Sequence, residues 1–140
     1  SLILTGEQFD SIPQPLLLIQ EEFHQEIQHQ GYAKCREEYN ALLERSDFVI
    51  HSPKQEYFGI SVLEAMSKGV IPLLGEGTAY EDWHEESFIT SNPMTIRERF
   101  VNYAANPVPH RQLAKKIAQR FDWDKVIPLY IEATTEIVNS

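Results

Sequence analysis

The stretch over residues 46–74 constrains the fold of this chain more than any other part of the sequence. It begins with a short apolar run at 48–50 and continues through a polar loop into a helical pattern at 59–67. After Gly69, it ends with a second apolar run at 70–74. A helix that connects two short buried strands is typical of a βαβ unit, in which both strands run in the same direction. The sequence therefore predicts an α/β fold.

The same alternation extends over most of the chain. Apolar runs predict strands at residues 2–5, 27–29, 48–50 and 70–74, with an edge strand at 87–90. Helical spacing predicts helices at about 13–26, 36–46, 59–67, 93–105, 111–121 and 125–138. The last 50 residues, 91–140, thus form a mainly helical tail. Right-handed crossovers would place helices on both faces of a mainly parallel sheet, and ligands would bind in the loops that follow its strands.

The length and the cysteine content set the expected organisation of the protein. A length of 140 residues suits one domain, and we expect residues 1–140 to form it. The chain does not begin with methionine and its first residues read as a buried strand, so we expect a fragment of a longer, two-domain protein. Cys35 is the only cysteine, which excludes an intrachain disulfide and fits a reducing compartment. No apolar run approaches the roughly 20 residues of a membrane span, so we expect a cytoplasmic protein without one.

The charge is distributed unevenly along the chain. The net charge is −9. Residues 1–90 hold 5 Lys and Arg against 16 Asp and Glu, which gives −11, whereas residues 91–140 hold 7 against 5, which gives +2. An acidic domain is a poor platform for the phosphate backbone of a nucleic acid, which proteins bind mainly through cations. A small anionic ligand remains compatible with this charge, because the amino end of a single helix can bind a phosphate.

The residues around the predicted helix at 59–67 suggest such an anion site. Gly59 stands where the helix begins, so a ligand can approach the backbone closely there. The first N–H groups of the helix would point towards the crevice at the positive end of the helix dipole. Glu56 precedes the helix and Glu64 lies within it. Carboxylates accept hydrogen bonds, which suits the hydroxyl groups of a sugar or a ribose on either side of a diphosphate.

These residues resemble the signature of a known enzyme family. Glu56, seven residues and Glu64 resemble the Glu-x7-Glu signature of retaining glycosyltransferases of group 1. Phe58-Gly59 inside the spacing and Gly69-Val70-Ile71-Pro72 after it agree with that signature. The resemblance implies that the chain is the C-terminal, donor-binding half of a GT-B fold, a Rossmann-like parallel sheet with helices on both faces. It implies that Glu56 is the catalytic residue at the donor sugar and that Glu64 binds the ribose. It assigns the diphosphate to the amides of Tyr57, Phe58, Gly59, Ile60 and Ser61.

Three further residues are candidates for donor binding, each with a structural alternative. Gly6 follows the first strand and would line the crevice, or it is a plain turn glycine. Tyr32 would face the nucleobase, or it lies at the edge of the core. Tyr80 would approach the donor, or it belongs to a capped surface turn. The five histidines show no spacing typical of metal ligands, so no metal site and no cofactor are predicted apart from the nucleotide sugar itself.

A narrower resemblance concerns the sugar and the acceptor. Several segments are similar to those of mannosyltransferases that modify the queuosine of tRNA, and of their bacterial relatives: Leu4-Thr5-Gly6-Glu7-Gln8-Phe9, His29-Gln30-Gly31-Tyr32, Ala79-Tyr80-Glu81-Asp82 and Phe121-Asp122-Trp123. This resemblance implies GDP-mannose as the donor and a tRNA acceptor bound mainly by an N-terminal domain that this sequence does not include. The isolated chain is therefore expected to be inactive. A lipid or polysaccharide acceptor, or a sugar-nucleotide epimerase of the same architecture, are the alternatives.

A row of basic residues in the tail offers a second place for RNA to bind. Arg111, Lys115, Lys116 and Arg120 recur at helical spacing. We expect this row to be a solvated helix face, with an RNA contact as the alternative.

Overall fold

The computed structural model describes residues 1–6, 12–52, 56–76, 79–83 and 86–139, and only the backbone of residues 86, 136, 138 and 139. The central part of the predicted loop before Glu56, residues 53–55, lies outside the described residues. The chain divides into two compact units, Ser1–Leu42 and Leu43–Ser140.

In its described residues, 1–6 and 12–42, the first unit contains a parallel pair of strands and a complete helix. Its elements are β1 (Leu2–Thr5), α1 (Gln14–Glu22) and β2 (Ile27–Gly31), followed by most of α2 (Arg36–Glu44). Strands β1 and β2 are parallel, and Thr5 pairs with Gly31 at their carboxyl ends. Helix α1 ends four residues before the predicted boundary, because the backbone turns after Phe23, whose N–H donates to the carbonyl of Ile19 at 2.9 Å.

The second unit contains the predicted βαβ stretch and the helical tail. Its regular elements are β3 (Phe48–His51), α3 (Ile60–Ser67), β4 (Ile71–Leu74), α4 (Pro93–Ala105), α5 (Pro107–Ala118) and α6 (Trp123–Asn139). Short 3-10 helices occur at Ala79–Trp83, Glu86–Phe88 and Gln119–Phe121. Strands β3 and β4 are parallel, and His51 pairs with Leu74 at their carboxyl ends. The α/β class, the parallel pairing and the helical tail are confirmed, as expected for a Rossmann-like half-domain.

The core of the second unit lies where α3, β4 and α5 meet. Every residue of β4 is buried, which is typical of a parallel strand covered on both faces. The buried cluster also takes in the aromatic residues that follow β4. Its members are Val62, Leu63, Met66, Ile71, Leu73, Leu74, Tyr80, Trp83, Phe88, Tyr103, Ala114, Ile117 and Ala118. The end of β4 and the start of α3 are thereby held against one apolar centre.

Two predictions about the region after β4 are wrong in detail. The edge strand at 87–90 is absent, because Glu86–Phe88 forms a 3-10 helix that carries Phe88 into the core. Only Ile89 forms a bridge with Leu74. The helix predicted to begin at Arg111 begins at Pro107 instead, because proline needs no hydrogen-bond acceptor in the first helical turn.

Candidate functional site

Gly59 caps the amino end of α3 in a conformation that only glycine adopts easily. Its backbone is left-handed, with φ 85° and ψ 41°. A Cβ atom added at this position would overlap the ring of Tyr80 and would lie 3.2 Å from Cζ2 of Trp83. Both the dihedral angles and the packing therefore require glycine, and the helix starts where the sequence predicts it.

The carboxylate of Glu56 binds the backbone at this same helix start. Its Oε1 accepts hydrogen bonds from the N–H of Phe58 at 3.1 Å and from the N–H of Gly59 at 2.9 Å. The Phe58 amide, with smaller contributions from the Gly59 amide and from His51, holds the pKa of Glu56 below its ordinary value of 4.5, although partial burial opposes this effect. Glu56 is thus ionised at neutral pH, and it engages two of the amides that the resemblance assigns to a diphosphate.

The next two N–H groups along the chain belong to the first residues of α3, Ile60 and Ser61. Such groups have no acceptor within their own helix. Among the residues that the structure describes, none accepts a hydrogen bond from either of them. Two donors at the positive end of α3 are consequently open to an anion, beside the two that hold Glu56.

The remaining predicted residues of this stretch differ in exposure. Glu64 lies within α3 and is half-buried. Tyr57 is 87% exposed, next to Glu56. Phe58 is half-exposed, and its ring packs edge-on against Phe121, with the ring centroids 5.6 Å apart. The stretch from Glu56 to Glu64 therefore presents carboxylates, amides and an exposed aromatic side chain on a rigid base.

Tyr80, predicted as a donor contact, is fully buried. Its ring lies beneath Gly59 and packs against Trp83, and its hydroxyl group forms a hydrogen bond with Nδ1 of His51. Burial raises the pKa of Tyr80 above its ordinary value of 10.0, and the charge of Glu56 adds to this effect. Burial also lowers the pKa of His51 below 6.5, whereas Glu56 raises it. Half-buried His51 and fully buried Tyr80, both neutral at neutral pH, thus form a hydrogen-bonded pair behind Glu56.

The sequence indicates each residue separately but not their pairing. His51 ends the predicted strand at 48–50, and a strand end in a parallel sheet faces the ligand crevice, which already singles it out among the five histidines. The partner could not be identified in the same way, because Tyr80 is 29 residues further along the chain.

The other two candidates, Gly6 and Tyr32, belong to the first unit. Gly6 follows β1 with φ 137°, and a Cβ atom added there would meet no other atom within 4 Å. Tyr32 directly follows β2 and is 67% exposed. Their roles in donor binding stay predictions.

The row of basic residues is used largely within the fold of the second unit. Arg111 forms an ion pair with Asp47 and donates to the carbonyl of Gly69 at 3.3 Å. The side chain of Lys115 covers Gly69, 2.8 Å from where a Cβ atom would lie. Arg120 donates to the carbonyl of Trp83 at 2.9 Å. Three of the four cations thus stabilise neighbouring elements, and an RNA contact gains no support from them.

The described part of the chain contains neither a metal-binding cluster nor a membrane-spanning helix. No group of three or more His, Cys, Asp or Glu residues there is arranged to hold a metal ion. None of the helices described is both long and apolar enough to cross a membrane. That the protein needs no metal remains a prediction.

The chain is similar to two curated mannosyltransferases over nearly its whole length. It is 27% identical over 136 residues to the tRNA-queuosine alpha-mannosyltransferase of Drosophila melanogaster, covering 92% of this chain and 35% of that protein. It is 25% identical over 144 residues to the GDP-mannose:cellobiosyl-diphosphopolyprenol alpha-mannosyltransferase of Xanthomonas oryzae pv. oryzae (strain PXO99A), covering 94% of this chain and 37% of that protein.

Both alignments confirm the predicted resemblance to glycosyltransferases, because both relatives are mannosyltransferases. The chain spans about a third of the length of the curated relatives it matches. No family model matches the chain. No solved structure matches it significantly.

Proposed function

We propose that this chain is the nucleotide-sugar-binding domain of a retaining glycosyltransferase that transfers mannose from GDP-mannose in the cytoplasm. The observation that carries the proposal is the geometry at the start of α3. There the carboxylate of Glu56 stands beside open N–H groups at Ile60 and Ser61, with Glu64 further along the same helix. Mannosyl transfer is supported by the names of both relatives, and GDP-mannose by the name of one.

The proposed chemistry follows from what these groups can bind. The open amides and the helix dipole would hold the diphosphate and stabilise the charge that develops on it as the bond to the sugar breaks. Glu56 would accept hydrogen bonds from the hydroxyl groups of the transferred sugar, and Glu64 from those of the ribose. Since Glu56 is ionised at neutral pH, its negative charge also suits the positive charge that the sugar ring acquires in an oxocarbenium-like transition state.

For the acceptor we propose the queuosine of tRNA, bound by a separate N-terminal domain. The Drosophila relative carries that acceptor in its name. A second candidate is a lipid-linked sugar, because the name of the Xanthomonas relative specifies a diphosphopolyprenol acceptor. The net charge of −11 over residues 1–90 disfavours tRNA binding to that part of the chain, which supports the assignment of the tRNA contact to the separate domain.

The donor site is tested by calorimetry with GDP-mannose, GDP, UDP and ADP. Wild-type protein is expected to bind GDP-mannose and GDP. Glu64→Ala should reduce the affinity for both ligands by roughly 10- to 150-fold, since hydrogen bonds to a charged group contribute about 1.5–3 kcal/mol. Glu98→Ala, which removes an exposed glutamate on α4, is the matched control and should bind like wild type. If a folded wild-type protein binds none of the four nucleotides, the proposed donor site is wrong.

The acceptor is tested with the full-length enzyme that includes the proposed N-terminal domain, incubated with radiolabelled GDP-mannose and one acceptor at a time. Label on queuosine-containing tRNA, but not on the same tRNA lacking queuosine, is the expected result. Label on a diphosphopolyprenol-linked sugar instead would favour the second candidate. Formation of an epimer of the donor without any acceptor would contradict glycosyl transfer.

A further inference from the structure

The hydrogen-bonded pair of His51 and Tyr80 connects two elements that flank Glu56 in the sequence. His51 is the last residue of β3, and Tyr80 lies in the 3-10 helix Ala79–Trp83. Nδ1 of His51 and the hydroxyl group of Tyr80 form a hydrogen bond, and their rings meet edge-on, with the centroids 5.8 Å apart. Because Tyr80 is fully buried and His51 is half-buried, this hydrogen bond is stronger than it would be in water.

The 3-10 helix that carries Tyr80 contacts both ends of the segment from Glu56 to Gly59. At one end, the N–H of Ala79 donates to the backbone carbonyl of Glu56 at 3.2 Å. At the other end, the ring of Tyr80 occupies the space beneath Gly59 in which a Cβ atom would lie. A shift of Tyr80 would therefore move the backbone of Glu56 and the amide of Gly59 together.

His51 anchors the pair to the sheet. Its backbone carbonyl accepts a hydrogen bond from the N–H of Gly75 at 3.0 Å, and its Cα pairs in register with that of Leu74. The imidazole is half-buried, and the one ionised group in the described structure that interacts with it is the carboxylate of Glu56. His51 thus fixes the hydroxyl group of Tyr80 relative to the carboxyl end of the parallel pair.

We propose that the hydrogen-bonded pair of His51 and Tyr80 positions the Glu56 carboxylate and the Gly59 amide in the donor site. The pair acts through Glu56 and Gly59, so both members are positioning residues rather than catalytic ones. The role in the donor site rests on the proposed function. The placement of Glu56 on the two amides does not, and it can be measured without any ligand.

Two substitutions separate the hydrogen bond from the packing. Tyr80→Phe removes the hydroxyl group and keeps the ring beneath Gly59. His51→Asn keeps an acceptor near the position of Nδ1, whereas His51→Ala removes it. The matched control is Tyr103→Phe. Tyr103 is likewise a buried tyrosine whose ring contacts a histidine, His110, with the centroids 3.8 Å apart, but it lies on α4 and its partner on α5.

The first experiment follows the Gly59 amide by NMR in the ligand-free protein. Phe58-Gly59 is the only Phe-Gly pair in the sequence, so labelling Phe with ¹³C at the carbonyl and Gly with ¹⁵N selects this amide alone. In wild type its signal should move as Glu56 is protonated, with a midpoint below pH 4.5. Tyr80→Phe and His51→Ala should bring that midpoint towards 4.5. His51→Asn, which also lacks the charge of His51, should raise the midpoint less than His51→Ala does, and Tyr103→Phe should leave it at the wild-type value.

An unchanged midpoint in both Tyr80→Phe and His51→Ala would overturn the proposal. Equal midpoints in His51→Asn and His51→Ala would also overturn it, because the hydrogen-bond acceptor that asparagine keeps would then have no effect. If Tyr80→Phe does not fold, the comparison of His51→Asn with His51→Ala decides.

The second experiment compares the affinities for GDP-mannose and for GDP in the same variants. Because Glu56 is assigned to the sugar, Tyr80→Phe should reduce the affinity for GDP-mannose at least threefold more than the affinity for GDP. Tyr103→Phe should reduce neither affinity. Equal weakening of both ligands would contradict the positioning role. If wild type binds neither ligand, the proposed function fails, while the NMR result still decides whether the pair positions Glu56.

Discussion

Replacing Gly59 with alanine should destabilise the second unit far more than the same change at Gly69. Both glycines have φ 85°. A residue with a Cβ atom in the left-handed region costs roughly 1–2 kcal/mol, and both variants incur this cost. They differ in what the new methyl group meets, and this difference allows the packing contribution to be isolated.

The packing contribution is specific to Gly59. Its Cβ atom would overlap the buried ring of Tyr80, whereas at Gly69 the nearest atom is Cε of Lys115, at 2.8 Å. The lysine is exposed and can move aside, but Tyr80 is enclosed by Trp83 and by the core. Inserting a methyl group into a packed core costs about 1–3 kcal/mol. We therefore expect Gly59→Ala to lower the free energy of unfolding by about 2–5 kcal/mol and Gly69→Ala by about 1–2 kcal/mol.

Urea unfolding monitored by tryptophan fluorescence measures both values, because Trp83 lies in the affected core. The slope of the free energy against urea should be the same in both variants, so that the midpoints report stability alone. Equal destabilisation by the two substitutions would refute the reasoning, since the Tyr80 ring would then yield as easily as the lysine side chain.

Two further predictions concern pH and helix capping. Burial lowers the pKa of His51 in the folded protein, so the unfolded chain binds a proton at this residue more readily. The free energy of unfolding should therefore be highest above pH 6.5 and should fall as the pH decreases towards the pKa of His51 in the folded protein. Urea unfolding between pH 5 and 8 should show this decline in wild type but not in His51→Asn. If the free energy of unfolding depends on pH equally in both proteins, the prediction is wrong. Asn92→Ala should cost about 1 kcal/mol, because Asn92 caps α4 through the N–H groups of Met94 and Thr95 at 2.9 and 3.3 Å. Thermal unfolding should show this loss of stability in Asn92→Ala but not in Asn92→Ser, whose hydroxyl group can also cap the helix. An equal loss in both variants would contradict the capping role.

Most of the fold could be predicted because its signals are local. The apolar runs at β1, β3 and β4 lie next to glycines or polar residues that end them, and the short length of each run favours a strand over a helix. Helix α4 was predicted with both ends, because Asn92 followed by proline is a local start signal. The predicted edge strand at 87–90 failed because a distant contact decided it: Phe88 packs on Tyr103 in α4, with ring centroids 6.2 Å apart.

The local features of the candidate site could also be predicted from the sequence, whereas its side-chain contacts could not. The spacing of Glu56, Gly59 and Glu64 is a property of the sequence, and it predicts a helix start flanked by two carboxylates. The sequence could not predict that Glu56 would turn its carboxylate onto the amides of Phe58 and Gly59, because that choice depends on backbone angles set by the packing. It also suggested a surface role for Tyr80, which the structure places in the core.

The sequence by itself determined the α/β class, the parallel βαβ stretch and the position of Gly59 at the start of α3. These follow from periodicity and from backbone sterics, which act over a few residues. Only the tertiary structure decided that Tyr80 fills the space beneath Gly59 and reaches His51. Contacts between residues far apart in the chain leave no periodic trace in the sequence, because they depend on how buried side chains share one volume.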